Sequence, residues 1–245
     1  MTVLADPVAE AHRLVDLARA AGLTLRIVGG IGVAIHAPSI GRANPSRTYH
    51  DIDLVAPAGS AAVARCMSAA GYLPAQRFNA LNGSERLLFH DPSGRRVDVF
   101  IERITMCHVL DLRDRLTIHP WTLPPADLLL SKLQIVEMTE RDAQDVQALL
   151  TDRNLSNDDD GIDRRRLRAV CAADWGWWRT VDGSLARLIE RWRAETAANE
   201  TLAIPIARAV AIRTDLAAAP TSLAWRLRSR IGERMRWYEL PEEVR

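Results

Sequence analysis

Residues 27–55 read IVGGIGVAIHAPSIGRANPSRTYHDIDLV, and this stretch decides the fold. Thr24 to Val28 is a short apolar run of strand type, and Gly29-Gly30 ends it. Ile31 to His36 resumes at helical spacing and Pro38 closes it. Residues 38–50 are rich in Pro, Ser, Gly, Asn and Arg and read as a loop. Asp51-Ile52-Asp53-Leu54-Val55 then alternates acidic and apolar residues. That is the pattern of a strand with one face on a core, and its period of two puts Asp51 and Asp53 on the other face together.

Similar signals extend outward. Val8, Ala11, Leu14, Val15, Leu17 and Ala18 fall at helical spacing over 7–21, with Gly22 as the stop. Residues 60–70 read as a small-residue helix ending at Gly71. Glu85–His90 and Arg95–Ile101 read as two strands joined by the turn Asp91-Pro92-Ser93-Gly94. Asp98 stands on the second of these strands between Val97 and Val99. Leu123-Pro124-Pro125-Ala126-Asp127 introduces an apolar helix, Leu128–Met138, and a second helix covers Glu140–Leu150. The polar run Asn154–Gly161 marks a boundary between an α/β domain, 1–153, and a helical domain, 160–245. The latter has predicted helices at 163–173, 183–198, 203–216 and 221–236. The expected class is mixed α/β, a sheet flanked by helices with an all-helical C-terminal region.

Composition excludes several classes. Of 245 residues, 48% are hydrophobic and 26% charged, which fits a packed core and not a disordered or low-complexity chain. No apolar run approaches the roughly 20 residues of a membrane span, and the N-terminus lacks a signal-peptide core. Cys66, Cys107 and Cys171 are widely spaced without a C-x-x-C, which fits a reduced cytoplasmic protein. The histidines show no zinc spacing. There is no G-x-G-x-x-G, no P-loop and no G-x-S-x-G elbow.

Two charge features stand out. Residues 161–245 carry 16 Arg against 11 acidic residues, +5, while residues 1–160 carry 16 basic against 20 acidic, −4. A basic C-terminal third suits a polyanion, although a solvated surface explains it equally. Of the 32 Lys plus Arg, only Lys132 is lysine. It lies in an apolar helix, where a lysine needs a partner; Asp142 and Asp145 on the next helix are candidates.

The paired acids carry the chemistry. Two carboxylates on one face repel unless they share a cation, and magnesium takes one or two protein carboxylates plus substrate phosphates. If strand 95–101 neighbours strand 51–55, Asp98 joins them, the arrangement for a two-metal displacement at phosphorus. Gly29 and Gly30 permit close backbone approach to a phosphate.

The stretch quoted above, with RRVDVFIE at 95–102, resembles the DNA polymerase beta-type nucleotidyltransferase superfamily. There a Gly-Gly or Gly-Ser turn precedes an Asp-x-Asp, and a third Asp follows on a later strand. LPPADLLLSKLQ at 123–134 and RDAQDVQALL at 141–150 resemble the AbiEii-type toxins of type IV toxin–antitoxin systems. The resemblance covers about residues 20–150; CAADWGWWRTVDGSLARL at 171–188 is similar in style to the helical C-terminal region of such proteins.

The resemblance implies a two-metal magnesium site on Asp51, Asp53 and Asp98, with Asp98 also placed to deprotonate the acceptor. It implies nucleotide binding by Gly29, Gly30 and Lys132, with Asp142 and Asp145 as supporting acids. It implies an NTP substrate, a tRNA acceptor held by the basic C-terminal helices, and an antitoxin protein as partner. Gly30 stands where the commoner turn has serine, and the insert with Arg42, Arg47, Tyr49 and His50 is either a substrate loop or a plain insertion. Two other readings stay open: an aminoglycoside- or lincosamide-type antibiotic nucleotidyltransferase, and a non-catalytic binding module on the same fold. Trp175, Trp177 and Trp178 read as helix packing or a base-stacking platform. Arg164, Arg165, Arg166 and Arg168 read as a solvated helix face or an RNA contact.

Overall fold

The computed structural model describes residues 3–195 and 200–240. The chain forms two compact units. The first comprises residues up to 35, 44–104 and 110–123; the second comprises 36–43, 105–109 and 124 onward.

The first unit is built on a five-stranded sheet in the order β1-β2-β5-β4-β3: β1 Arg26–Ile27, β2 Asp51–Ala56, β3 Leu73–Pro74, β4 Arg86–His90 and β5 Arg96–Ile101. Only β2 and β5 pair in parallel; the other neighbours are antiparallel. Strand alternation divides the sheet's faces. Ile52 and Leu54 of β2, Leu87 and Phe89 of β4, and Val97 and Val99 of β5 all enter one buried cluster. That cluster is closed by Ala11, Leu14, Val15 and Ala18 of α1 (Pro7–Ala20) and by Val63 and Met67 of α4 (Ser60–Ala69). The intervening residues, Asp51, Asp53, Arg86, Arg96 and Asp98, belong to the opposite face.

Local chemistry fixes these elements. Asp6 caps α1 by accepting from the Ala9 N–H at 2.8 Å, with Pro7 in the first turn. Glu10 is fully buried, and burial would raise its pKa. Hydrogen bonds donated by Arg13, the Leu4 N–H and Tyr72 hold it below the ordinary value instead, the Tyr72 bond at 2.8 Å. In the β4–β5 turn, Asp91 Oδ1 accepts from the N–H groups of Ser93 and Arg95 and from the Ser93 hydroxyl, so the expected hairpin forms.

Several expectations shift. The run 38–50 is not all loop: α3 spans Ser39–Ala43, its Ser39 N–H donating to Asp152 at 2.7 Å and its Ile40 buried. An unanticipated α5, Gln76–Asn82, buries no residue. Its Asn79 side chain both accepts from the Leu88 N–H and donates to the Leu88 carbonyl, tying it to β4. A two-stranded ribbon, β6 Arg103–Thr105 and β7 Val109–Asp111, was also not foreseen.

The second unit begins at His36, the last residue of α2 (Gly29–His36), and α3 follows; then come α6 Pro125–Leu133 and α7 Glu140–Asp152. α6 stops short of the expected Met138. Thr139 must be extended (φ −76°, ψ 165°) to form a capping box with Asp142, so one helix cannot continue into the other. The Asn154–Gly161 run closes with a short parallel pair, β8 Leu155–Ser156 with β9 Ile162–Asp163. The division between compact units falls before α6 and not at this run. The reason is that α6 packs on α7, α8 (Arg164–Ala173) and α9 (Trp175–Glu195), with buried Asp127 of α6 accepting from Arg166 of α8 at 2.8 Å. α10 Ala203–Ala218 and α11 Leu223–Ile231 complete the unit. The last residues of the predicted 183–198 helix lie outside the described residues.

Candidate active site

The acidic face is assembled by register. In the β2–β5 pair Asp51 is opposite Arg96 and Asp53 is opposite Asp98. Paired residues of parallel strands share a face, so the three carboxylates and Arg96 all stand away from the core. Asp98 is fully buried, whereas the Asp51 side chain is 45% exposed.

Asp98 is held by two arginines. Arg86, diagonally placed on β4, donates through Nε to Asp98 Oδ1 at 2.7 Å, with its Nη2 at 2.6 Å from the same oxygen. Its guanidinium lies 5.1 Å from the Phe100 ring centre and 5.9 Å from that of Phe78. Arg96 Nε sits 2.9 Å from Asp98 Oδ2, but Oδ2 receives no aligned hydrogen bond. Arg96 Nη2 also donates to Asp51 Oδ2 at 3.3 Å. Sequence reasoning missed both arginines. Strand parity was the available signal: on a hairpin turning at Asp91–Gly94, Arg86 and Arg96 fall on the Asp98 face.

The double glycine opens α2, Gly29–His36. Gly29 has φ +62°, and a Cβ there would lie 2.1 Å from Asp53 Oδ2. The bare Cα thus lets the Asp53 carboxylate sit against the start of α2, where the helix dipole favours negative charge. Gly30 is covered differently: its Cβ would meet Arg47 Nη2 at 3.1 Å and the Tyr49 ring at 3.3 Å. Those two residues of the insert stack on each other, with Arg47 5.4 Å from the Tyr49 ring centre. His50 pairs locally with Thr48 at 3.2 Å.

A divalent cation fits this face in part. Asp51 and Asp53 supply the one or two carboxylates that magnesium takes alongside phosphates. The buried Oδ2 of Asp98, ion-paired with Arg96 but without an aligned hydrogen bond, is a third oxygen of the right chemistry. Among the described residues, though, no group of three His, Cys, Asp or Glu is gathered as a metal cluster. The arginine contacts of Asp98 account for its engagement elsewhere.

Lys132 lies in the second unit. Its ammonium is 2.9 Å from Asp142 Oδ1 and 2.9 Å from Asp145 Oδ2. Burial would lower its pKa, but the two acids, Asp145 first, raise it above the ordinary lysine value. Asp142 uses its other oxygen on the Thr139 N–H and hydroxyl. Burial would raise the Asp142 carboxyl, and Lys132 and Thr139 hold it below the usual range. The arginine run is also engaged: Arg164 with Asp215, Arg165 with Asp163 and Arg166 with Asp127. Trp175 and Trp177 are buried, and Trp178 packs edge-on against Trp225, so all three serve helix packing.

No protein-family model matches the chain, and no curated protein matches it. Solved structures similar to it include the following two. One is the antibiotic-resistance factor ANT(2'')-Ia, 11% identical over 79% of this chain and 96% of that chain, with a TM-score of 0.39. The other is an antigenic nucleotidyltransferase-like protein from Paracoccidioides brasiliensis, 13% identical over 81% of this chain and 93% of that one, with a TM-score of 0.46. Likenesses this distant leave activity and substrate to the chain's own residues. No helix among the described residues is long and apolar enough to cross a membrane.

Proposed function

We propose that this chain is a magnesium-dependent nucleotidyltransferase that moves a nucleoside monophosphate from an NTP to an acceptor hydroxyl. The observation that supports it most is the β2–β5 register, which sets Asp53 beside Asp98 on the face away from the core, with Asp51 two residues before. The acceptor oxygen attacks the α-phosphorus, the bond to the bridging oxygen breaks, and pyrophosphate leaves. The acceptor's proton goes to Asp98 Oδ2, a carboxylate oxygen with no aligned donor. Asp51 and Asp53 would hold magnesium, which would supply positive charge against the phosphates. Lys132, paired with Asp142 and Asp145 in the second unit, is the residue to which the resemblance assigns the triphosphate.

The acceptor in this reading is the 3′ end of tRNA, the enzyme is toxin-like and cytoplasmic, and its partner is an antitoxin protein. Its support is the AbiEii-type resemblance together with the +5 balance of residues 161–245. A second reading, a small hydroxylated drug as acceptor, is favoured by the pairing of Arg164, Arg165 and Arg166 with aspartates of the same unit, which reduces the charge left for a polyanion. Incubation with labelled NTPs, magnesium and total tRNA separates the two. Label on tRNA that Asp51→Ala abolishes supports the first; no label on any RNA, with drug-dependent pyrophosphate release, supports the second.

A further inference from the structure

Arg86 and Arg96 both reach Asp98, yet they are built differently. Arg86 puts two nitrogens on one oxygen, Oδ1, against the rings of Phe78 and Phe100, and its side chain is 26% exposed. It is an anchor, and the buried Asp98 charge requires one. Arg96 is 37% exposed and spans two acids, reaching Asp98 Oδ2 without hydrogen-bond alignment and Asp51 Oδ2 at a long 3.3 Å. Its Asp51 contact falls on a carboxylate that is 45% exposed, the one a cation arriving at this face would meet first. A part-exposed guanidinium with one unaligned ion pair and one long bond to an exposed acid is displaced at less cost than Arg86.

We infer that Arg96 is an exchangeable counter-cation of the acidic face, competing directly with a divalent cation for Asp51 and Asp98. This rests on reading Asp51 and Asp53 as cation ligands. The consequence is specific. The acids are already charge-compensated, so cation binding must displace Arg96, and the protein alone holds the metal more weakly than its three carboxylates would suggest. Arg86 does not exchange, since its bonds are short, share one oxygen and are backed by aromatic rings.

The test is Mn²⁺ binding to the full chain without nucleotide, followed by electron paramagnetic resonance of free Mn²⁺, with circular dichroism to confirm folding. Removing a competing unit charge a few ångströms away, discounted for exposure, predicts that Arg96→Gln tightens binding about five- to tenfold. Arg96→Lys, which keeps the charge, stays within about twofold of the parent. Asp51→Asn and Asp53→Asn abolish binding in either background. Binding that depends on both aspartates but is unchanged or weakened in Arg96→Gln overturns the exchange and leaves the carboxylate site standing. Binding indifferent to Asp51→Asn and Asp53→Asn overturns the cation reading itself. If Arg96→Gln fails to fold, Arg96 is a structural clamp like Arg86 and the exchange is overturned.

Discussion

The Asp53 carboxylate fills the place where a side chain on Gly29 would begin: a Cβ on Gly29 would lie 2.1 Å from Asp53 Oδ2. Gly29 therefore serves as the floor under a carboxylate. Its φ of +62° adds a second reason for glycine. Gly29→Ala is expected to cost about 1–2 kcal/mol in backbone strain alone. It must also displace Asp53, so under the proposed function pyrophosphate release should fall by about tenfold or more. Thermal denaturation and a pyrophosphate assay measure the two effects separately. Gly30→Ala is the control. It has no positive φ and meets only the side chains of Arg47 and Tyr49, so its stability should change by less than about 1 kcal/mol. Equal losses in the two variants would refute the assignment of Gly29.

Much of this site could be read from the chain because it rests on short-range periodicity. Asp51 and Asp53 are two apart on a strand, Asp98 sits between valines, and the Asp91–Gly94 turn states its own conformation. What escaped depends on contacts made across the sequence. Asn79 pairs with the backbone of Leu88, and that pairing makes α5 a helix with no buried residue. Asp152 caps Ser39, which turns part of a Pro- and Gly-bearing run into α3. Arg86 reaches Asp98 because β4 and β5 align Leu88 with Asp98; the turn and strand parity give the shared face, but not the diagonal contact itself. The unit division escaped for a similar reason. The Leu128–Leu130 run shows that α6 is buried but not which elements bury it.

Lys132 is the one lysine of the chain, and its ammonium lies at 2.9 Å from each of two acids. A compact ammonium can meet two carboxylates from between them; a planar guanidinium on a longer stem cannot do so in the same space. Lys132→Arg should therefore lower the unfolding midpoint and impair NTP use. Lys132→Met leaves two acids without their shared cation, a loss of about 3–5 kcal/mol for a broken buried pair. If Lys132→Arg keeps the parent's stability and its KM for NTP, the lone lysine follows from codon usage and not from the geometry of the pair.

Arg166 donates to Asp127, whose side chain is fully buried on α6. Arg166→Ala strands that charge and is expected to cost about 3–5 kcal/mol, visible as a lowered denaturation midpoint. Arg165 pairs with Asp163 but is 61% exposed, so Arg165→Ala should cost no more than about 1 kcal/mol. If the arginine run served mainly to bind RNA, the ranking would reverse in a tRNA-binding assay: Arg165→Ala would weaken binding while Arg166→Ala would not.

His108 gives the second unit a pH signature. Burial pushes its pKa down to about 4 even though Asp174 acts to raise it, and its Nε2 lies 2.8 Å from the Thr180 hydroxyl. The unfolded chain takes up this proton near 6.5, the folded chain only near 4. Above pH 6.5 the imidazole is neutral in both states and the group contributes its full stability. As pH falls from 6.5 to 4 the unfolded state gains the proton first, so stability declines with falling pH across that window and levels off below it. The whole effect is bounded at about 3 kcal/mol, and partial exposure reduces it. Between pH 6.5 and 5 few carboxylates titrate, and the difference in slope of midpoint against pH between the parent and His108→Gln gives the His108 share. His108→Gln should flatten that slope. An unchanged slope in the variant would assign the pH dependence to another group.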